Sequence, residues 1–342
     1  MLKSIYHFFR LIRVLNLIVI GLTMTVVELF LLRYNNIPPY DYFESGYFYS
    51  YYSDELSLFY LLLISTLLIA AAGNIINDYF DVKADRINKP KRLIIGKHIK
   101  RRWAMVLHWS FNLLGFILAL YIGYVLQNVW IPITSFLSIN LLWFYSAYFK
   151  RKPLVGNMMV ALLLGVIPVY VLIFNLPIDD TIIPTDLGDH LILKSYFFYV
   201  ILFLSSLAFL QNLIRELVKD IQDVRGDLRL NAVTFPIRFG IKKTKLLITV
   251  FWMLSLLVVF LYARFITLFN LGLKLRKPRG INLSDYTSFD FDTFGWLLLI
   301  SLVVFVTSFI VIISSNKIKW YKIASLLLKL SMVLGLLTPL FL

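Results

Sequence analysis

No cysteine occurs in the 342 residues, which excludes disulfides, thiolate metal sites and cysteine nucleophiles. Charge is scarce as well, at 15% of the chain, and histidine occurs only 4 times. Acids are the rarer sign, 19 against 34 lysines and arginines, for a net charge of +15. Such an excess can mark a nucleic-acid binder. With 60% hydrophobic residues and a mean hydropathy of +0.80, it marks instead an integral membrane protein whose basic residues crowd the cytoplasmic loops. No low-complexity linker divides the chain, so residues 1–342 read as a single transmembrane domain.

What the chain has in plenty is long apolar runs. Nine stretches reach the length of about 18–25 residues that a bilayer requires: 14–32, 58–77, 103–126, 130–149, 154–174, 196–214, 246–263, 294–313 and 323–342. The first follows Lys3, Arg10 and Arg13; it is too long for a signal-peptide core and lacks a small-residue cleavage site, so it reads as a retained span. Only Gln127-Asn128-Val129 separates the third and fourth, which makes them a tight helical hairpin. With the N-terminus inside, 26 of the 34 basic residues fall on the cytoplasmic side. The basic loop 271–292 is the one poor fit. The outer segment 34–55 is rich in tyrosine and acids, and 176–190 carries Asp179, Asp180, Asp186 and Asp189; the tyrosines are expected to form an interfacial belt. The expected fold is an all-α membrane protein, nine transmembrane helices around a central cavity open toward the cytoplasmic face.

Two clusters of acids stand out against this background. Asn77, Asp78, Asp81 and Asp85 close the second apolar run. Asp220, Asp223 and Asp227 repeat the spacing of Asp78, Asp81 and Asp85 after the sixth. On a helix, Asn77, Asp81 and Asp85 share one face, with Asp78 on its flank. Like charges at this spacing oppose one another by about 0.2–0.5 kcal/mol per pair. A hard divalent cation, Mg²⁺ before Ca²⁺, offsets that repulsion and bridges to a phosphate. Each cluster is followed by a glycine and a lysine, Gly96-Lys97 and Gly240 with Lys242, as in a duplicated half-site. All seven residues are candidate metal ligands for a pair of Mg²⁺ ions, and Asp78, Asp81, Asp85, Asp223 and Asp227 are the candidate catalytic residues.

The chemistry that fits is transfer from an allylic diphosphate to a lipophilic acceptor in a water-poor cavity at the inner membrane surface. Lys91, Arg92, Lys150 and Arg151 are candidate diphosphate contacts, although positive-inside charge alone would also place them there. Asn77, Tyr145, Arg13 and Asn16 complete the candidate substrate-binding set; Arg13 and Asn16 are three apart at the start of the first span, where a buried amide needs a partner. Glu216 reads equally as a further ligand or as a partner for Arg215 or Lys219. His98 and His108 are expected at the surface or interface. Glu28 and Lys329 lie within spans, away from the acidic motifs, in packing or water-contact roles, and the run Ala70-Ala71-Ala72-Gly73 is expected to allow close helix packing.

These residues bring a family into view. Asn77-Asp78-x-x-Asp81-x-x-x-Asp85 resembles the first aspartate-rich motif of the UbiA superfamily of intramembrane prenyltransferases, and Asp223-x-x-x-Asp227 resembles the second. Asn88-Lys89-Pro90-Lys91-Arg92 is similar to the continuation of motif one, with Leu93 where a proline is common. Tyr145-Ser146, Lys150-Arg151 and Gly156-Asn157 are similar to the segment between the fourth and fifth spans. Residues 215–227 look most like members that prenylate geranylgeranylglyceryl phosphate, with Asn231 in place of a later glycine. The resemblance implies nine spans, Mg²⁺, a prenyl diphosphate donor and an ether-lipid acceptor; an aromatic quinone precursor is the close alternative. Two other classes are weaker. A secondary transporter would place its site near the middle of the membrane, and a phosphatidyl-type alcohol transferase would carry a DG-x-x-AR run that is missing here. No nucleic acid and no obligate protein partner are expected.

Overall fold

The computed structural model describes residues 2–35, 47–88, 93–175, 187–229, 232–276, 291–315 and 317–341. Lys91, Arg92 and Asn231 lie outside the described residues, as do residues 36–46 and 176–186 of the two acidic loops and 277–290 of the basic loop. Among the described residues the chain is almost entirely helical: α1 Leu2–Leu11, α2 Val14–Asn35, α3 Tyr47–Asn88, α4 Arg101–Val125, α5 Trp130–Ala147, α6 Val155–Phe174, α7 Leu187–Arg229, α8 Phe235–Phe239, α9 Ile241–Arg276, α10 Phe291–Ser314 and α11 Ile318–Leu337. Each of the nine apolar stretches falls on a helix. Among the described residues, eight of these helices are long and apolar enough to cross a membrane.

The exception is α5. It has 18 residues and interrupts its apolar sequence with Thr134, Ser135, Ser138 and Asn140. The first three of these polar groups face the central cavity, and Ser135 bonds Tyr170 of α6 at 2.8 Å. Inward polarity is compatible with a spanning helix, because lipid never meets it.

The bundle is organised by α3 and α7, which touch each other. They have 42 and 43 residues, roughly 63–65 Å of helix, about twice the hydrocarbon thickness of a bilayer. Each therefore runs on beyond its apolar part and carries its aspartates with it. α4 and α5 pack on α3; α6, α9 and α11 pack on α7. Close approach depends on small residues. A Cβ on Gly115 would stand 2.9 Å from Ile69 and 3.0 Å from the Ser65 carbonyl oxygen, and one on Gly73 would stand 2.9 Å from Leu142. Ala71 and Ala72 are buried at the same contact, as the small-residue run predicts.

The turn between α4 and α5 is the tight hairpin expected. Gln127 takes φ 51°, and the Asn128 amide donates to the Ile173 carbonyl at 2.8 Å while its Oδ1 accepts from the Trp130 N–H at 3.1 Å. The two glycines that follow the aspartate clusters also match, with φ 86° at Gly96 and 85° at Gly240. Both turns use a backbone region that L side chains avoid.

His108 corrects an expectation. It is not at the surface but 2% exposed between α3 and α4, with Nδ1 2.9 Å from the Ala72 carbonyl oxygen and Asn112 beside it. His98 is exposed, as expected, and stacks on His7. Glu28 is buried on α2 and accepts from the Asn175 amide at 2.8 Å, a packing role.

Candidate active site

One cavity of about 980 Å³ runs into the bundle between α2, α3, α5, α6, α7 and α11. Its mouth holds Asn77, Asp78 and Asp81 from α3 and Asp220, Asp223 and Asp227 from α7. Its depth is largely apolar, with residues such as Ile69, Leu164, Ile167 and Leu207. Two stretches of chain about 140 residues apart in sequence thus face each other across a single space, as the paired spacing predicts. Arg13, Asn16, Tyr145 and Lys150 line the same cavity. Asp85 continues α3 and Arg151 ends a short turn of 3₁₀ helix, but their side chains lie outside the described residues, as do Lys91 and Arg92.

On the α3 side the acids are held by cations. Lys150 forms an ion pair with Asp81 and donates to Asn77 Oδ1 at 2.9 Å, while the Asn77 amide donates to Asp81 at 3.2 Å. Asn77 and Asp81 share a face, four residues apart, so one ammonium reaches both. Burial alone would lower the pKa of Lys150; the Asp81 carboxylate, and after it Tyr145, outweigh that and raise it above the ordinary lysine value.

Asp78, on the flank, reaches Arg13 at 2.6 Å. Arg13 lies at the break between α1 and α2 and takes φ 53°, a left-handed conformation that a non-glycine residue adopts only when held. Two contacts hold it. Asn74 donates to the Ile12 carbonyl freed by the helix end, at 2.9 Å, and Asp78 anchors the guanidinium. Burial works against the charged guanidinium here too, and the paired carboxylate raises its pKa nonetheless.

On the α7 side, Asn157 donates to Asp220 at 2.8 Å from the first turn of α6. Asp223 and Asp227 continue along the cavity wall. Glu216, one turn deeper, resolves as a partner: Arg215 bonds its Oε1 at 2.9 Å, and Lys219 pairs with the same oxygen. Arg215, Lys219 and Asn157 also line the cavity. Arg215 and Lys219 repeat at helical spacing along the face that carries the second motif, which is the signal by which they are recognised.

Lys329 is a second correction. Rather than standing away from the acidic motifs, it lines this same cavity, within electrostatic reach of Arg215, Glu216 and Arg13. A lysine inside an apolar span is by default a functional position.

The turn that presents Lys150 depends on Gly156. A Cβ there would lie 2.8 Å from the Phe149 carbonyl oxygen and 3.1 Å from Lys150 Cα. Gly156→Ala therefore pushes α6 away from the 3₁₀ turn and moves Lys150 and Asn157 off their aspartates. A misplacement of about 1 Å is enough to lower turnover roughly 100-fold. Steady-state kinetics on the purified variant check this; turnover within twofold of the parent would refute it.

The donor set is all hard oxygen, carboxylates with one amide, which suits Mg²⁺ in chemistry. Among the described residues no three acidic side chains stand close enough to close around one ion. Lys150 sits on Asp81 and Arg13 on Asp78, so the two α3 acids are ion-paired.

The fold and the site together are those of an all-α membrane protein with two aspartate motifs facing across one cavity. The chain belongs to the UbiA prenyltransferase family, which it matches over residues 45–273. It is 36% identical over 192 residues to the digeranylgeranylglyceryl phosphate synthase of Pyrococcus horikoshii, covering 56% of this chain and 60% of that protein. The synthase of the same name from Korarchaeum cryptofilum is 34% identical over 195 residues, 57% of this chain and 59% of that one. The match thus spans about three fifths of these relatives. In fold, the chain is similar to a solved structure described as digeranylgeranylglyceryl phosphate synthase in membranes, with a TM-score of 0.63, 21% identity and coverage of 98% and 97%. It is also similar to the apo structure of a UbiA homologue from Aeropyrum pernix K1, at a TM-score of 0.53 and 14% identity, covering 93% and 94%.

Proposed function

We propose that this protein transfers a prenyl group from a prenyl diphosphate to the free hydroxyl of geranylgeranylglyceryl phosphate, making a diether lipid. The observation that carries the reading is the facing of Asp78 and Asp81 by Asp220, Asp223 and Asp227 across one cavity with an apolar depth. Family membership and the names of the relatives support it. The chain acts as one domain of nine spans with its N-terminus and the cavity mouth on the cytoplasmic side, where the basic loops concentrate.

Asn77, Asp78, Asp81, Asp220, Asp223 and Asp227, with Asp85, would hold Mg²⁺, two ions for the two motifs. When bound, the metal neutralises the diphosphate and makes it a good leaving group. The chain does the rest. Lys150 and Arg13 keep the α3 carboxylates aimed at the mouth and add positive charge for the diphosphate, a role that Lys91, Arg92 and Arg151 share. The apolar walls take up the prenyl tail and exclude water from the cationic carbon. Tyr145 and Asn16 sit where the acceptor enters. Its hydroxyl oxygen bonds to the allylic carbon as the carbon–diphosphate bond breaks, and the hydroxyl proton passes to an anionic oxygen of the departing diphosphate.

The test is an acceptor screen with radiolabelled geranylgeranyl diphosphate on the purified protein in lipid nanodiscs. Geranylgeranylglyceryl phosphate should give an extractable labelled diether, and EDTA should stop it until Mg²⁺ is restored. Labelling only of 4-hydroxybenzoate or 1,4-dihydroxy-2-naphthoate would replace the acceptor. Cation-dependent solute uptake without any product would replace enzyme with transporter.

A further inference from the structure

The cavity carries more positive charge than its aspartates use. Arg13, Lys150 and Lys219 are each paired with an acid. Lys329 is not: among the described residues it makes no hydrogen bond and no ion pair, although it lines the cavity. Lys329 is exposed to the cavity, so its ammonium is open to a ligand anion.

Its depth follows from one hydrogen bond. Gln222 of α7 donates to the Tyr321 carbonyl of α11 at 3.1 Å, which sets the two helices level at that point. Lys329 lies eight residues beyond Tyr321, and Arg215 seven residues before Gln222, on a helix running the opposite way. At 1.5 Å per residue both are about 11 Å further in. Arg215 is 8% exposed, and its Nε–H has no hydrogen-bond partner although Nη2 bonds Glu216. Two cations with unmet donor capacity thus share one level. Among the described residues, Glu216 is the one acid close to both, and it is already taken by Arg215 and Lys219.

We propose that Lys329 and Arg215 form an anion subsite for the phosphate of the acceptor, separate from the aspartate site that faces the diphosphate. This rests on the phosphorylated-acceptor reading above and extends it. Arg215 lies five residues from Asp220 and eight from Asp223, about 7.5 and 12 Å along α7. In a glycerol phosphate, the attacking hydroxyl is on the carbon next to the one that bears the phosphate. With that hydroxyl at the allylic carbon inside the aspartates, the phosphate lies no more than about one helical turn, roughly 5 Å, further in, within reach of the long Lys329 side chain. The aromatic alternatives carry a single carboxylate in place of the phosphate, so the acceptor screen and not the charge of this pair separates the two readings.

The experiment measures KM for both substrates with the parent protein, Lys329→Met and Lys329→Arg in nanodiscs, using geranylgeranyl diphosphate and geranylgeranylglyceryl phosphate. Loss of one hydrogen bond to a charged group is expected to raise the acceptor KM about 10- to 100-fold in Lys329→Met, with no comparable rise for the diphosphate. Arginine should recover most of the affinity. On the dephosphorylated acceptor the difference between parent and Lys329→Met should shrink toward nothing. An unchanged acceptor KM, an equal loss on both acceptors, or a rise in the diphosphate KM alone would overturn the subsite. A parent protein that prenylates only aromatic acceptors would overturn the acceptor reading, and the subsite with it.

Discussion

Asp81→Ala and Asp223→Ala are each expected to lower prenyl transfer by more than about a thousand-fold, the loss of several kcal/mol of electrostatic stabilisation at the leaving group. The two substitutions reach that result from different starting points. Asp81 is the carboxylate that Lys150 and Asn77 both hold, so its loss also unties the turn before α6. Asp223 is on the opposite wall, and its loss leaves Lys150, Asn77 and Asp81 as they are. Both variants should insert in membranes and keep the parent elution profile, because an alanine at the rim of a polar cavity opens no hole in an apolar core. Single-turnover assays with labelled diphosphate separate the outcomes. Turnover by either variant within tenfold of the parent would remove that aspartate from the metal site.

The aspartates were legible in the sequence because acids at the ends of apolar spans are locally unfavourable, and two sets with one spacing point to a shared ligand. Their cations were legible only as a crowd. Positive-inside charge predicts basic residues at this end of the bundle whether or not they touch anything, so it could not single out Lys150 and Arg13. Lys219 and Arg215 were visible as neighbours of Glu216, but which of them it would engage needed side-chain directions. Lys329 departs from its expected place for a different reason. How far a cavity penetrates between helices is a property of the bundle, and the hydropathy of one span carries no information on it. His108 departs in the same way: the carbonyl that its ring meets belongs to Ala72, on another helix. α5 shows the converse. Its serines and threonine weaken it as a membrane span by composition, and only the cavity explains why they are there.

Glu216→Ala is expected to be the most destabilising change in the cavity, at about 3–5 kcal/mol. The carboxylate neutralises two cations at once, and Arg215 beside it is almost fully buried. Removing the acid leaves that guanidinium with a charge, an orphan Nε–H and no partner for Nη2. Lys219→Met makes the control. Its side chain is 39% exposed in the cavity, so the pair it forms is screened and is worth only about 0–1 kcal/mol. The asymmetry is the content of the prediction. If the cost were simply that of losing an ion pair, the two variants would fall together. If it is the cost of a stranded buried charge, Glu216→Ala falls alone, and Glu216→Ala with Arg215→Met recovers much of the loss. Unfolding midpoints of the three variants in one detergent decide between them, and equal midpoints for Glu216→Ala and Lys219→Met would show that α7 does not rely on this carboxylate to keep Arg215 inside the bundle.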